Sequence, residues 1–260
     1  PWNPPTRGKP LEDLPAGKPL TPPTEAARIV MASPLPFPEA SYLDLAGKRT
    51  ALEGSGQPLL VNLWATWCVP CVAEMEAWEK EQATLRKLGL RVLALSVDKP
   101  NDEFKDRIAI VQPFLKKRKF PFEAGLADAG FLDVLEVAGR AQIDKYETLP
   151  VPSTLLLDAE GRIAVIYKGL VEVAQLSKDV ALLDASKEVR HAAATPFPGR
   201  WIEGPWPASP TVMIDKFMSF GQPEAARRYL DRFLQRAGEA ANQDLSESYF
   251  LVGGELALQK

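Results

Sequence analysis

The 260-residue sequence is poor in histidine, in cysteine and in long apolar runs. One histidine, His191, and two cysteines are too few for a structural zinc site, which takes about four ligands. No apolar run approaches the roughly 20 residues that cross a bilayer. A membrane anchor, if the protein has one, is therefore expected outside this chain. No metal or other cofactor is expected.

The sequence also lacks an excess of charge of either sign. Lys and Arg total 31 against 34 Asp and Glu, which gives a formal net charge of −3. This balance argues against a nucleic-acid binder, which needs a clustered basic surface. The one dense basic run, Lys116 to Lys119, fits the last turn of a helix, where cations complement the helix dipole. No nucleic-acid partner is expected.

The distribution of proline suggests how the chain is divided. Eleven of the 24 prolines lie in residues 1–38, and a second Pro/Gly/Trp-rich passage follows at 196–210. We predict four parts, namely a Pro-rich N-terminal linker, a main domain, a second linker and a small helical segment: 1–33, 34–186, 187–210 and 211–260.

The main domain is predicted to be α/β, with a central mixed sheet flanked by helices. The run Leu59–Trp64 is almost wholly apolar and of strand length, which is typical of a strand buried on both faces. Two more strands and a hairpin partner are predicted, and helices between and after them: strands 91–97, 154–157 and 163–167, helices 69–88, 102–118 and 173–186. An additional helix is suggested within 124–139.

The C-terminal segment has the apolar spacing of paired helices. Its pattern is similar to one tetratricopeptide unit and the start of a second, carried by Met213, Phe217, Gly221, Ala226, Leu230 and Leu234, then Tyr249, Val252, Gly253 and Leu256. A helical hairpin that packs on the main domain fits the same pattern.

The two cysteines stand at the join between a buried strand and a helix, as Cys68-Val69-Pro70-Cys71. A thiol exposed at a helix N-terminus faces unpaired N–H groups, which lower its pKa from about 8.5. Cys71 is on the same helix face, within bridging reach and one turn deeper. A structural disulfide that closes so short a loop would stabilise the fold little. Covalent haem attachment needs a histidine directly after the second cysteine, where this sequence has Val72. A peroxidatic cysteine would have a threonine three residues before it, where this sequence has Ala65. The pattern favours reversible thiol–disulfide exchange.

The residues around this pair resemble the thioredoxin superfamily, in its TlpA/ResA-like extracytoplasmic branch. The resemblance is carried by Val61–Cys71 (VNLWATWCVPC), by Glu74-Met75 and by Val151-Pro152 before the strand that ends at Asp158. It spans about residues 34–186. It implies a thioredoxin-like fold, a periplasmic or otherwise exported location and thiol–disulfide exchange.

The resemblance also implies roles for individual residues. Cys68 matches the attacking cysteine and Cys71 the resolving one. Pro152 matches a cis-proline that turns the backbone of Val151 toward an incoming extended peptide. The implied substrate-binding surface consists of Trp67, Val69, Pro70, Val151 and Pro152.

Glu74 matches an acid that members of this branch carry beside their cysteines. It could accept the proton of Cys71 if burial raises its pKa. Alternatively, it is a first-turn glutamate that complements the helix dipole. Asn62 stands where thioredoxin has a buried acid, and Glu76 stands where relatives usually have a proline that bends the helix.

The resemblance favours a reductant of exported cysteine-containing proteins, such as apocytochrome c, recharged by a membrane thiol electron donor. An alternative from another class is a protein-interaction module. There the C-terminal helices would bind a partner, and the main domain would be an accessory or a redox sensor.

Overall fold

A computed structural model describes residues 27–52, 56–143, 148–195, 209–237 and 245–258. Residues 1–26 and 196–208, which hold most of the two predicted linkers, lie outside the described residues.

The described residues form one eight-stranded mixed sheet with the strand order β1-β8-β7-β4-β5-β6-β2-β3. The strands are β1 (Ala27–Val30), β2 (Ser41–Asp44), β3 (Arg49–Ala51), β4 (Leu59–Trp64), β5 (Arg91–Ser96), β6 (Glu123–Leu126), β7 (Ser153–Leu157) and β8 (Ile163–Lys168). β4, β5 and β6 run parallel, whereas the other neighbouring pairs are antiparallel. The predicted mixed sheet is confirmed.

In the described residues, helices alternate with strands from β4 to β7, and the elements after β8 are all helices. They are α1 (Val69–Lys80), α2 (Gln82–Lys87), α3 (Phe104–Arg118), α4 (Ala129–Gln142), α5 (Val173–Val180), α6 (Lys187–Ala194), α7 (Pro210–Ser219), α8 (Pro223–Ala237) and α9 (Ser246–Leu258). The helix predicted over 69–88 is divided at Glu81, where the backbone leaves the helical region. The additional helix suggested within 124–139 is confirmed as α4.

β4 lies in the middle of the sheet, and the cysteines follow its C-terminal end. All six of its residues are buried, as the apolar run predicts. Trp64 pairs with Ser96 of the parallel strand β5, and Leu63 pairs with Ser153 of the antiparallel strand β7. The end of β4, the end of β5 and the start of β7 therefore meet at the edge where Cys68 follows.

Both predicted linkers contain regular structure that the composition did not reveal. β1 lies inside the predicted linker 1–33 and pairs with β8, from Ala27 opposite Lys168 to Val30 opposite Val165. α6 lies inside the predicted linker 187–210. β1 could not be predicted from composition, because an edge strand of four residues is stabilised by its partner strand. The proposed division of the chain into linkers and domains stays a prediction.

The C-terminal helices belong to the main core. Met213, Ile214 and Phe217 of α7 are buried in the same apolar cluster as Leu135 and Val137 of α4. α8 packs on α7, and α9 packs on α8, so the described part of this segment contains three helices and not the two of a hairpin. The tetratricopeptide similarity stays a prediction. In the described parts of the chain, no helix combines the length and apolar character of a membrane span.

Candidate active site

Cys68 and Cys71 form a disulfide at the start of α1. Cys68 is the N-cap residue with an extended backbone, and its Sγ accepts a hydrogen bond from the backbone N–H of Cys71 at 3.2 Å. Pro70, in the first turn, has no N–H, and that position needs none. The predicted placement of both sulfurs at a helix N-terminus is therefore present, and the Cys68 sulfur receives a donor that would stabilise a thiolate.

The sulfurs are less accessible than the sequence suggests. Cys71 is fully buried, and only 4% of Cys68 is exposed, whereas Trp67 and Val69 are 67% and 79% exposed. Cys68 packs in an apolar cluster with Trp64 of β4 and other buried side chains. The expectation of an exposed attacking sulfur is thus corrected for the oxidised form, in which Cys68 is buried next to exposed Trp67 and Val69.

Val151 and Pro152 come to the neighbourhood of the cysteine pair from a distant part of the chain. The peptide bond between them is cis, as the resemblance implies. Pro152 is buried, and half-buried Val151 packs against the cluster that contains Cys68 and Cys71. The structure therefore brings the predicted substrate-binding residues of two distant segments to one place.

Glu74 is fully buried in the second turn of α1 and points toward the sheet. Its Oε2 accepts from Asn62 Nδ2 at 2.8 Å, and its Oε1 accepts from the backbone N–H of Val171 at 2.7 Å. Burial raises the pKa of Glu74 from 4.5 to about 7, although the hydrogen bonds from Val171 and Asn62 oppose this rise. The first-turn alternative does not fit, because α1 has no acid in its first turn.

Asn62 joins Glu74 to the sheet. Its Nδ2 also donates to Thr154 Oγ1 of β7 at 3.0 Å. Its Oδ1 is buried and has no hydrogen-bond partner within the residues that the structure describes. Asn62 therefore contributes two donor contacts and one unpaired acceptor to the interior of the site.

Asp98 is a site residue that the sequence reasoning missed. Its carboxylate is 3% exposed and accepts from the backbone N–H of Thr66 at 2.9 Å, from Thr66 Oγ1 at 2.7 Å and from Ser96 Oγ at 2.8 Å. These bonds fix the turn that leads from β4 into Cys68. A signal was present, since Asp98 lies two residues after the buried strand β5, whose last residue pairs with the last residue of β4.

Arg107 of α3 lies behind this turn and is only 1% exposed. It donates to the carbonyl oxygens of Ser96, Asp98 and Ala127 at 3.2, 2.9 and 2.6 Å. Burial lowers the pKa of its guanidinium from the ordinary value, while Asp128 and two other carboxylates act in the opposite direction.

Glu76, the residue that replaces the expected proline, faces α3. Arg118 contacts Glu76 at 3.2 Å and Glu79 at 3.0 Å, and its guanidinium lies over the ring of Phe114, 5.6 Å from the centroid. α1 is therefore linked to α3 by an ion-pair network. Across the described residues, no group of three or more His, Cys, Asp or Glu side chains could hold a metal ion.

Sequence comparison places these features in a known family. A sequence model described as the AhpC/TSA family matches residues 36–191, which is more than half of the chain. The chain belongs to the AhpC/TSA family. The matched part contains both cysteines, Glu74 and Pro152, and its sheet with flanking helices is thioredoxin-like.

Individual relatives are more distant. The chain is 26% identical over 133 residues to the thiol-disulfide oxidoreductase ResA of Bacillus thuringiensis subsp. konkukian. The aligned region covers 51% of this chain and 67% of that protein. It is 28% identical over 153 residues to the thioredoxin-like protein YneN of Bacillus subtilis, with 56% and 76% covered. Among solved structures, a secreted thiol-disulfide isomerase from Corynebacterium glutamicum is 19% identical with a TM-score of 0.48, and the match covers 65% of this chain and 99% of that chain.

Proposed function

We propose that this chain is a thiol–disulfide oxidoreductase that uses the Cys68/Cys71 pair to reduce disulfides in exported cysteine-containing proteins. The observation that carries the proposal is the disulfide at the N-terminus of α1, in which Cys68 is 4% exposed and Cys71 is fully buried. The relatives whose names describe thiol–disulfide oxidoreductases support the reaction class.

The reaction begins with Cys68 as a thiolate. It attacks one sulfur of a partner disulfide, forms a mixed disulfide and releases the other partner sulfur as a thiolate. Cys71, deprotonated in turn, attacks the Cys68 sulfur, so the partner's second thiolate leaves and the Cys68–Cys71 disulfide forms. Two electrons pass from the dithiol to the partner disulfide.

Glu74 accepts the proton of Cys71 in this scheme. It follows Cys71 by three residues on one helix, which brings the two side chains to the same face, and both are fully buried. A carboxyl group with a pKa of about 7 is suited to take up and return a proton near neutral pH. No other acid lies in the first two turns of α1 except Glu76, which contacts Arg118 instead.

The partner binds on the apolar rim. Exposed Trp67, Val69 and Pro70 offer contact area around the sulfurs, and half-buried Val151 adds to it, while buried Pro152 holds the cis bond that follows Val151. Exposed aromatic and aliphatic side chains around a recessed reactive group are typical of a surface for an extended peptide.

The location and the electron donor follow from the resemblance. We expect an extracytoplasmic protein that acts on cysteine-containing exported proteins, apocytochrome c among them, and a membrane thiol protein that restores the dithiol. The interaction-module alternative has no comparable support, because α7 is part of the main core.

A cysteine trap tests the proposal. Cys71→Ser should accumulate mixed disulfides with exported proteins, since the second attack is removed. The matched control is Cys68→Ser, which keeps one thiol but lacks the attacking one and should capture nothing above background. Reduction of an insulin disulfide by the dithiol form of the whole chain should be lost in both variants. Equal capture by the two variants, or no reduction by the unaltered chain, would contradict the proposed function.

A further inference from the structure

Asn62 is a buried amide between two groups that can each donate or accept a hydrogen bond. On one side is the Glu74 carboxyl, 2.8 Å from Nδ2, and on the other is the Thr154 hydroxyl, 3.0 Å from the same nitrogen. All three side chains are fully buried. Each polar atom of this group therefore depends on its protein neighbours for a hydrogen bond, because the side chains are shielded from bulk solvent.

The observed arrangement suits only the ionised form of Glu74. Both of its carboxylate oxygens face an N–H donor, Oε1 that of Val171 and Oε2 that of Asn62. A proton on either oxygen would add a donor where a donor already points. The N–H of Val171 belongs to the backbone and is fixed, whereas the Asn62 amide can rotate about its last side-chain bond.

The unpaired oxygen of Asn62 shows what such a rotation would achieve. In the observed orientation Oδ1 is buried and without a partner within the described residues. Rotation by 180° would place Oδ1 between the Glu74 and Thr154 oxygens and Nδ2 where Oδ1 now lies. A protonated Glu74 and the Thr154 hydroxyl could then both donate to Oδ1, which has two lone pairs.

We propose that the side-chain amide of Asn62 rotates when Glu74 gains a proton, so that Asn62 donates to the carboxylate and accepts from the carboxylic acid. Asn62 is then a positioning residue, and this inference rests on the proposed role of Glu74 in thiol exchange. The proton taken from the Cys71 thiol would lie on Oε2, directed at Asn62 Oδ1, and no electrons move in this step. A fixed donor would oppose the protonated state of Glu74, whereas a rotating amide supports both states.

The groups that face Glu74 are few. Asn62 comes from β4, Thr154 lies behind it on β7, Val171 comes from the segment before α5, and Cys71 precedes it on α1. Among the described residues, the Val171 and Asn62 hydrogen bonds are the influences on its pKa besides burial, and no charged side chain of these residues contributes. In the oxidised protein Cys71 does not titrate, so a pH titration of that form isolates Glu74.

Nuclear magnetic resonance of the oxidised, isotope-labelled whole chain, from about pH 5 to about pH 9, tests the proposal. The Glu74 carboxyl carbon should titrate, and the Asn62 side-chain NH2 signals should change with the same midpoint. The cross-peaks from these NH2 protons to Thr154 should be present at high pH and lost at low pH. Exposed Asn101 is an internal control and should not respond at that midpoint.

Glu74→Gln serves as the second arm. Without a titrating carboxyl at position 74, the Asn62 signals should become independent of pH. Cross-peaks to Thr154 that persist while Glu74 titrates would overturn the proposal, and so would a Glu74 that stays ionised throughout or an Asn62 response that survives in the variant. Insulin reduction by the unaltered chain, first converted to its dithiol form, is measured separately, so that a failure of the proposed function is seen independently of the amide.

Discussion

Glu74 should make the oxidised protein less stable as the pH rises from about 5 to about 8. Burial raises the pKa of its carboxyl from 4.5 to about 7, so between these values the folded protein retains a proton that the unfolded chain has lost. The stabilisation is complete below the unfolded pKa and is lost as the pH passes the folded one. At about 1.4 kcal/mol per pKa unit, the loss in the free energy of unfolding is on the order of 3 kcal/mol. Glu74 is fully buried, so solvent does not screen this effect.

The measurement compares the oxidised parent with Glu74→Gln by urea denaturation at about pH 5 and about pH 8. Glutamine has nearly the same shape but cannot ionise. We expect the stability of Glu74→Gln relative to the parent to increase by about 3 kcal/mol between the two pH values. Glu76→Gln is the matched control on the same helix. The Glu76 side chain is 50% exposed in its ion pair with Arg118, so the stability of this variant relative to the parent should change by less than about 1 kcal/mol between the two pH values.

The reasoning is refuted if the difference between Glu74→Gln and the parent is the same at both pH values. That result would mean that Glu74 is ionised in the folded protein over the whole range, and that its two hydrogen bonds outweigh burial.

Three further outcomes are expected. Asp98→Asn replaces an acceptor of the Thr66 turn by a donor and should lower the free energy of unfolding by about 1–3 kcal/mol, whereas exposed Asp102→Asn should change it little, as urea denaturation would show. Trp67→Ala should leave thermal stability nearly unchanged but raise the KM for a peptide disulfide, because this side chain is 67% exposed at the rim. Phe217→Ala should cost about 3–5 kcal/mol and keep one unfolding transition; a second, separate transition would contradict the shared core.

The sequence predicts the centre of the molecule better than its margins. The apolar run of β4 and the cysteine pair after it were sufficient to locate the sheet edge and the helix start, because burial on both faces leaves a strong local pattern. β1 carries no comparable pattern. Its four residues become a strand through pairing with β8, and Arg28 contributes an ion pair with buried Asp179, which lies 151 residues away in the chain.

The candidate site shows the same division. The family resemblance pointed to Glu74, but the donor that Val171 supplies to it comes from 97 residues further along the chain. The burial of Cys68 could not be predicted either, since it depends on side chains that fold over the sulfur from several elements. Local spacing identifies which groups react, and long-range packing determines how far each is from water.

Arg107 has a consequence for how the protein opens. One guanidinium is shared by three carbonyl groups, at the end of β5, at Asp98 and at Ala127 just before α4. Separation of any one of these segments leaves a buried cation with too few acceptors, which is more costly than the loss of an ordinary hydrogen bond. The turn before the cysteines and the entry to α4 should therefore become accessible to solvent in a single event, and their slowest amide protons should exchange at a common rate.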